Sequence, residues 1–448
     1  MEKKNQQHYG LFTATTMIIG IVIGSGIFFK ADDVLNYTGG SVLLGALVFC
    51  IGAFSIIFGS LTLTELSVRT KKSGGVIGYY EEFISRKIAA GFGWFQTFVY
   101  YPTIIVVVSW VAGVYTSTLF GMNASLEGQV FIGLIYMIFI YVINFLSLKL
   151  GGYFQNLTTV IKLIPLLGIA IIGFFWGDPN PKIPIGVKAI SKSDVGFKWI
   201  AALAPIAFSF DGWIVAPSIT DEVKNPKRTM PLALIIGPIV ILSVYLLYFL
   251  GLNNMLGPEY VMSLGDNAVN KVGELLLGIH GDKIILIFII IAVLGVVNGV
   301  TLGSLRMPQA LASKNMIPGG EKIATIHPKF HLSIGSCLVS FIVTLIWMGI
   351  HYITQKTGVL GQSDISEISI VFSYICYIIL YVKVFIMKKK GIVRSKFKGI
   401  ICPILGILGS MIILIGGITS NPTYVPIFIG FCLAICIAGY LFYKNKNI

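Results

Sequence analysis

Charge is what this sequence has least of. Only 12% of its 448 residues are charged, with 19 acidic against 33 basic. A soluble globular domain carries about twice that share, so water is not the main solvent of this chain. Long polar stretches are missing too: the longest connections, about 177–197, 255–282, 311–332 and 353–365, are too short for a second soluble domain. The six cysteines (Cys50, Cys337, Cys376, Cys402, Cys432 and Cys436) lie in or at the edges of apolar stretches. That excludes a visible disulfide framework and leaves them as small apolar residues. Cys432 and Cys436 are one helical turn apart, but without a neighbouring His or Cys they make no metal site. The five histidines, His8, His280, His327, His331 and His351, are scattered over loops, tails and span ends. With no nucleophile–base pair or metal-ligand motif, a membrane-embedded enzyme is disfavoured, and no cofactor or metal is expected. Neither a pore-loop filter nor a ring of charges speaks for a channel.

What is present is apolar surface: 56% hydrophobic residues and a mean hydropathy of +0.87. About twelve stretches can each cross the roughly 30 Å hydrocarbon core of a bilayer. They run over about 11–37, 42–66, 88–120, 129–147, 153–176, 198–221, 230–254, 283–310, 333–352, 366–387, 399–418 and 424–443. None shows the period-2 alternation of barrel strands, so the fold class is an all-α integral membrane protein with one transmembrane domain over 1–448. The first stretch is too long for a signal-peptide core, lacks a small-residue cleavage site and is followed directly by another span, so it belongs to the mature protein. Most Lys and Arg fall on one side of the membrane, the densest run being "KKKGIVRSKFK" from Lys388 to Lys398. The positive-inside rule then puts both termini in the cytoplasm, with the chain multi-pass in the cell membrane. The net charge of +14 is thereby used as a topology signal, and no nucleic-acid partner is expected.

Two spans are interrupted, the first by "GSGIF" and the sixth by "FSFDGW". Glycine in a helix interior costs about 1 kcal/mol relative to alanine, and in lipid a break frees backbone groups that must find partners. The breaks are five spans apart, an odd offset that reverses direction across the bilayer. They are therefore related by an axis in the membrane plane, the mark of an inverted-repeat transporter. Freed N–H groups at Gly24, Ser25 and Gly26, with the Ser25 hydroxyl, can hold a carboxylate at the positive end of the outer half-helix. Freed carbonyls near Val22, and across the site at Phe208 and Asp211, can accept from an ammonium. A small zwitterion satisfies both sets. Close packing of small residues is the competing explanation for Gly-x-Gly, and the matched interruption in the sixth span outweighs it.

At these residues the chain resembles the amino acid-polyamine-organocation superfamily and, within it, the L-type amino acid transporters. "IIGIVIGSGIFFKADDVLNYTGG" resembles the first span of that family, "FSFDGWIVAPSITDEVKNPKRTMPLAL" its sixth with the following loop, and "GVVNGVTLGSLRMPQALASKNMIP" its eighth. The likeness covers nearly the whole chain. It implies a LeuT-type 5+5 inverted repeat with discontinuous helices 1 and 6: repeat one over about 11–176, repeat two over about 198–387, and two further helices over about 399–443. It implies that Ser25 and Gly26 bind the substrate carboxylate and that carbonyls of Val22, Phe208 and Asp211 bind the amine. Phe208 matches the aromatic that closes over substrate as a gate, and Asn298 matches a cavity-facing position. Where some relatives have glycine or alanine, this chain has Asp211, which keeps cationic amino acids in view. Relatives that carry a disulfide-linked heavy subunit use a cysteine in the loop after the third span. Here that loop reads "FGMNASLEG", so no such subunit is expected.

Lys162, in "NLTTVIKLIPLLG", is an ionisable group inside a span, which costs roughly 2.5–3.5 kcal/mol at a helix centre and so should face a polar interior. Snorkelling to the cytoplasmic side is the plain alternative. In sodium-coupled members of the wider fold a cation bridges the first and eighth helices; the resemblance implies that a fifth-span lysine takes that place here, bonding carbonyls at the first break and groups of the eighth helix. A lysine that keeps its charge favours exchange, and one that titrates allows proton symport. Glu65 with Arg69, and Glu222 with Arg228 around Asn225-Pro226, read as local pairs or parts of an inner gate. Asp32 and Asp33 read as solvated. The expected function is a sodium-independent exchanger of small or medium neutral L-amino acids; proton-coupled symport and cationic substrates are the alternatives.

Overall fold

The computed structural model describes residues 9–24, 26–72, 74–177, 190–203, 206, 209–330, 332–360, 364–420 and 422–446. Among these, ten helices are long and apolar enough to cross a membrane: Val42–Ser67, Arg86–Leu119, Leu126–Leu146, Lys149–Trp176, Pro226–Leu256, Ala268–Ala312, Ile334–Thr357, Ile365–Lys389, Phe397–Thr419 and Tyr424–Asn445. They correspond to the second to fifth and seventh to twelfth spans. Hydroxyl and carboxylate caps start several of them: Ser125 Oγ accepts from Gly128 N (3.4 Å), and Asp364 Oδ1 accepts from Ser366 N (2.7 Å) and Glu367 N (2.9 Å). Each cap satisfies backbone donors that the first helical turn leaves without a partner.

The first and sixth spans are the broken ones. The first forms helix over Leu11–Val22, leaves helical geometry at Ile23 (ψ 95°), and resumes as two short pieces, Gly26–Phe29 and Ala31–Tyr37. In the sixth, a 3-10 stretch Gly196–Ala202 and another, Trp213–Glu222, flank a turn at Phe210–Gly212. The inner helix of the first span packs against the fifth, seventh and eighth spans, and Trp213–Glu222 packs against the first, seventh and eighth. Close approach depends on missing side chains: a Cβ at Gly20 would fall 2.1 Å from Gln155 Nε2, and one at Gly299 would fall 2.3 Å from Ile21 Cγ1.

The third span carries a widened π turn over Gln96–Tyr100. Its cause is Pro102, which has no N–H for the Phe98 carbonyl one turn back. Trp347 of the ninth span takes up that carbonyl instead, Nε1 donating to Phe98 O at 2.6 Å. The ninth helix runs on to Thr357 and so encloses His351, which is fully buried with its ring edge-on to Trp110 at 4.9 Å. His351 thus sits inside a span and not at its end.

Candidate functional site

The first break leaves helix carbonyls without their usual i+4 partners, and side chains from two other spans supply them. Lys162 Nζ donates to Gly20 O (2.8 Å), Ile23 O (2.6 Å) and, on the eighth helix, Ala292 O (3.0 Å). The lysine is completely buried, so it does not snorkel. All three donors of the ammonium are used, a requirement for keeping a charged amine out of water. Tyr245 of the seventh span does the same for both breaks together: its hydroxyl lies 3.1 Å from Val22 O and 3.1 Å from Ser209 O. Its single O–H is shared between the first and sixth spans.

The two interruptions meet. Gly212 has φ +100°, a left-handed conformation that favours glycine, and a Cβ there would fall 2.5 Å from Ile21 Cγ2. A Cβ on Gly26 would stand 3.6 Å from Ser209 Oγ, and one on Gly24 would stand 3.3 Å from Val296 of the eighth helix. Gly24 and Gly26 therefore border the eighth and sixth spans, while the Val22 carbonyl points to the seventh. Ser25 and Phe208 lie outside the described residues. The outer half of the first span is not one helix but a four-residue turn followed by Ala31–Tyr37. A macrodipole sums over aligned peptides, so these two short pieces do not add up to the dipole of one continuous outer half-helix.

Asn298 is committed elsewhere. Its Nδ2 donates to Gln155 Oε1 (2.8 Å) and Gly151 O (3.1 Å), and its Oδ1 accepts from Asn144 Nδ2 (2.8 Å). With both amide donors on the fifth span and its oxygen taking a hydrogen bond from the fourth, Asn298 ties the eighth helix to those two spans. Asp211 is buried, and its Oδ2 accepts from Tyr100 Oη at 3.0 Å. Its carboxylate thus faces the third span.

At the end of the molecule that carries the N-terminus, Glu222 is paired with Arg306 of the eighth span and not with Arg228. Arg306 Nη2 donates to Glu222 Oε2 (2.6 Å), its Nε reaches Oε1, and its Nη1 reaches Leu302 O. A strap seals the pair: Tyr9 N donates to Glu222 O (3.0 Å) and Lys224 N to Tyr9 O (2.7 Å), an isolated parallel bridge. The Tyr9 ring lies against Gly152, where a Cβ would fall 2.6 Å from it. Burial first, and the Glu222 charge second, push the Tyr9 phenol up. Beside this latch, the Glu81 carboxylate gathers Lys314, Arg86 (3.3 Å) and Lys72 (3.6 Å), and Glu65 holds Arg69 at 2.7 Å as expected from their spacing. Asp33 pairs with Lys30 at 2.8 Å, and Asp32 is buried, so the two are not simply solvated.

Ten membrane-length apolar helices around two mutually contacting broken ones make this a multi-pass integral membrane protein. Comparison with known proteins gives the family: the chain matches the amino acid permease model over residues 9–440, and it belongs to that family, within the amino acid-polyamine-organocation superfamily. It is 31% identical over 413 residues to the serine/threonine exchanger SteT of Bacillus subtilis (strain 168), covering 91% of this chain and 90% of that one. It is also 27% identical over 454 residues to the human large neutral amino acids transporter small subunit 2, covering 97% and 79%. With the mouse b(0,+)-type amino acid transporter 1 it shares 24% over 452 residues, covering 98% and 87%.

Proposed function

We propose that this chain is a sodium-independent exchanger of small or medium neutral L-amino acids, working by alternating access in the cell membrane with both termini in the cytoplasm. The observation that carries the reading is the contact between the two breaks, with Lys162 bridging the first break to the eighth helix. The substrate carboxylate binds at the Gly24–Gly26 amides with the Ser25 hydroxyl. The ammonium binds at carbonyls of Val22, Phe208 and Asp211, and Phe208 closes over it. Lys162 stands where a coupling cation would, as a charge tethered to the fold, and removes the need for sodium. The overall plan is a LeuT-type pair of inverted five-helix repeats followed by two further helices, and the Glu222–Arg306 latch with the Tyr9 strap is the cytoplasmic gate in its closed state. The names of the relatives support both exchange and neutral substrates.

Counterflow in proteoliposomes tests this. Radiolabelled L-serine should accumulate transiently when the lumen holds unlabelled L-serine, L-threonine or L-alanine. The same signal is expected with sodium replaced by choline, and no accumulation with an empty lumen. Uptake that needs sodium, or that proceeds equally into empty vesicles, contradicts the reading.

A further inference from the structure

Asp211 stands in a chamber of phenols. Its Oδ2 accepts from Tyr100 Oη (3.0 Å), and the Tyr374 hydroxyl and the Gly212 amide are the other donors within its reach. Tyr374, Tyr377 and Tyr381 project from one face of the tenth span, the first two in edge contact at 5.2 Å. All three are buried, and all are electrostatic neighbours of the carboxylate. Trp213, whose Nε1 has no partner among the described residues, packs on Tyr377 at 6.1 Å. Among the described residues the elements packed here bring no countercharge: the third span offers Tyr100, the tenth its three tyrosines, the second Ser55 and Gly59 against Tyr374 and Tyr381, and the seventh Tyr245 across Phe210. Lys162 has its donors on three carbonyls.

A buried carboxylate held by phenols and an amide, with no cation beside it among the described residues, is costly out of water, and removing the cost takes either a proton or a positive ligand. We propose that Asp211 swaps a proton for the substrate ammonium: the carboxyl is protonated in the empty carrier and gives its proton to water as the amino acid seats. This deepens the exchanger reading and rests on it. On binding, the Asp211 O–H bond breaks, the electron pair stays on the carboxylate beside the incoming ammonium, and the proton leaves through the open side. On release the steps reverse. A full exchange cycle, with one amino acid in and one out, moves no net proton. An empty carrier returns only with Asp211 protonated, so any net uptake exports a proton, the opposite of proton symport.

The test is isothermal titration of L-serine into the purified wild-type protein in two buffers of different ionisation enthalpy. On the acid side of the site's titration it should show close to one proton released per amino acid bound, with release falling and affinity rising as pH rises through that titration. Asp211→Asn, which keeps the backbone carbonyl, should bind without proton release and with pH-independent affinity. Tyr374→Phe should keep the release but shift its pH midpoint. Wild-type binding without proton release overturns the proposal while leaving the exchanger reading intact, and no binding of any amino acid overturns the exchanger reading itself. Release that persists in Asp211→Asn assigns the proton to another group and also overturns the proposal. The wild-type measurement decides the matter even if a variant fails to fold.

Discussion

Three backbone carbonyls converge on Lys162 Nζ within 3.0 Å, and that convergence is what a bound cation would need at the same point. Replacing Lys162 with Ala removes all three donors and leaves a cavity beside the first break. Orphaned buried carbonyls and lost packing together cost about 2–4 kcal/mol. The variant should still fold, melt at a lower temperature in a detergent thermal-shift assay, and lose at least tenfold in exchange rate; unchanged kinetics from both membrane faces would remove the lysine from the mechanism. Tyr245→Phe deletes one shared O–H and should cost about 1 kcal/mol, visible as a smaller fall in melting temperature and a weaker apparent affinity for substrate. Asn298→Ala breaks a helix-tying amide. Its expected effect is on stability, with the apparent KM for serine unchanged in whatever protein survives.

At the scale of elements, the two breaks make opposite predictions for two glycines. Gly212 needs its positive φ, and a Cβ would meet Ile21 at 2.5 Å, so Gly212→Ala should destabilise the protein by about 2–3 kcal/mol through strain at the turn. Gly26 has room for a methyl, the nearest atom being Ser209 Oγ at 3.6 Å. Gly26→Ala should therefore melt like the wild type yet fail to exchange serine, because the methyl occupies the space between the breaks. Both interruptions were legible in the sequence because the glycine pair of the first span is matched five spans later by a polar, glycine-containing stretch, a pairing that close helix packing alone does not require. Lys162 was legible because a charge inside a span needs an explanation. Contacts set by tertiary folding were not: Arg306 reaches Glu222 across 84 positions, while Arg228, favoured by its nearness in sequence, was the wrong partner. The partners of the Asn298 amide were hidden too, because nothing local shows that Asn144, Gly151 and Gln155 surround it. Tyr245 carries no motif at all, and its part follows only from the geometry of two spans meeting at a third. The split of the outer first span into two short pieces was hidden as well, since "IFFKADDVLNY" reads as continuous helix.

Over the whole molecule, the proposed alternating-access cycle requires the Glu222–Arg306 latch under Tyr9 to open. Breaking a buried ion pair by removing one partner costs about 3–5 kcal/mol, so Glu222→Gln should shift the population towards an inward-open state. Maleimide labelling of Ser218→Cys from the cytoplasmic side, in a background without native cysteines, should then speed up about tenfold or more; equal rates would mean that the pair does not gate. Glu81 gives the same end of the molecule a pH dependence. Burial alone would push its carboxyl up, but the Lys314 hydrogen bond and the charges of Lys314, Lys72 and Arg86 outweigh it and hold the group below the usual carboxylate value. A depressed value means that the stabilisation is fully present above the ordinary carboxylate value of about 4.3 and is lost as pH falls through the folded one. The gap in melting temperature between wild type and Glu81→Gln should accordingly be widest near neutral pH and close on acidification. In the proposed cycle both clusters hold together span ends that separate for substrate to leave, whereas the Lys162 and Tyr245 bonds lie at the level of the breaks and persist. The most direct measurement is a structure determined with L-serine in sodium-free buffer. The amino acid should lie between the first and sixth breaks, carboxylate on the Gly24–Gly26 amides and ammonium on the Val22 and sixth-span carbonyls, with Lys162 still bridging to Ala292. Serine bound elsewhere, or a first span that closes into continuous helix around it, would contradict that arrangement.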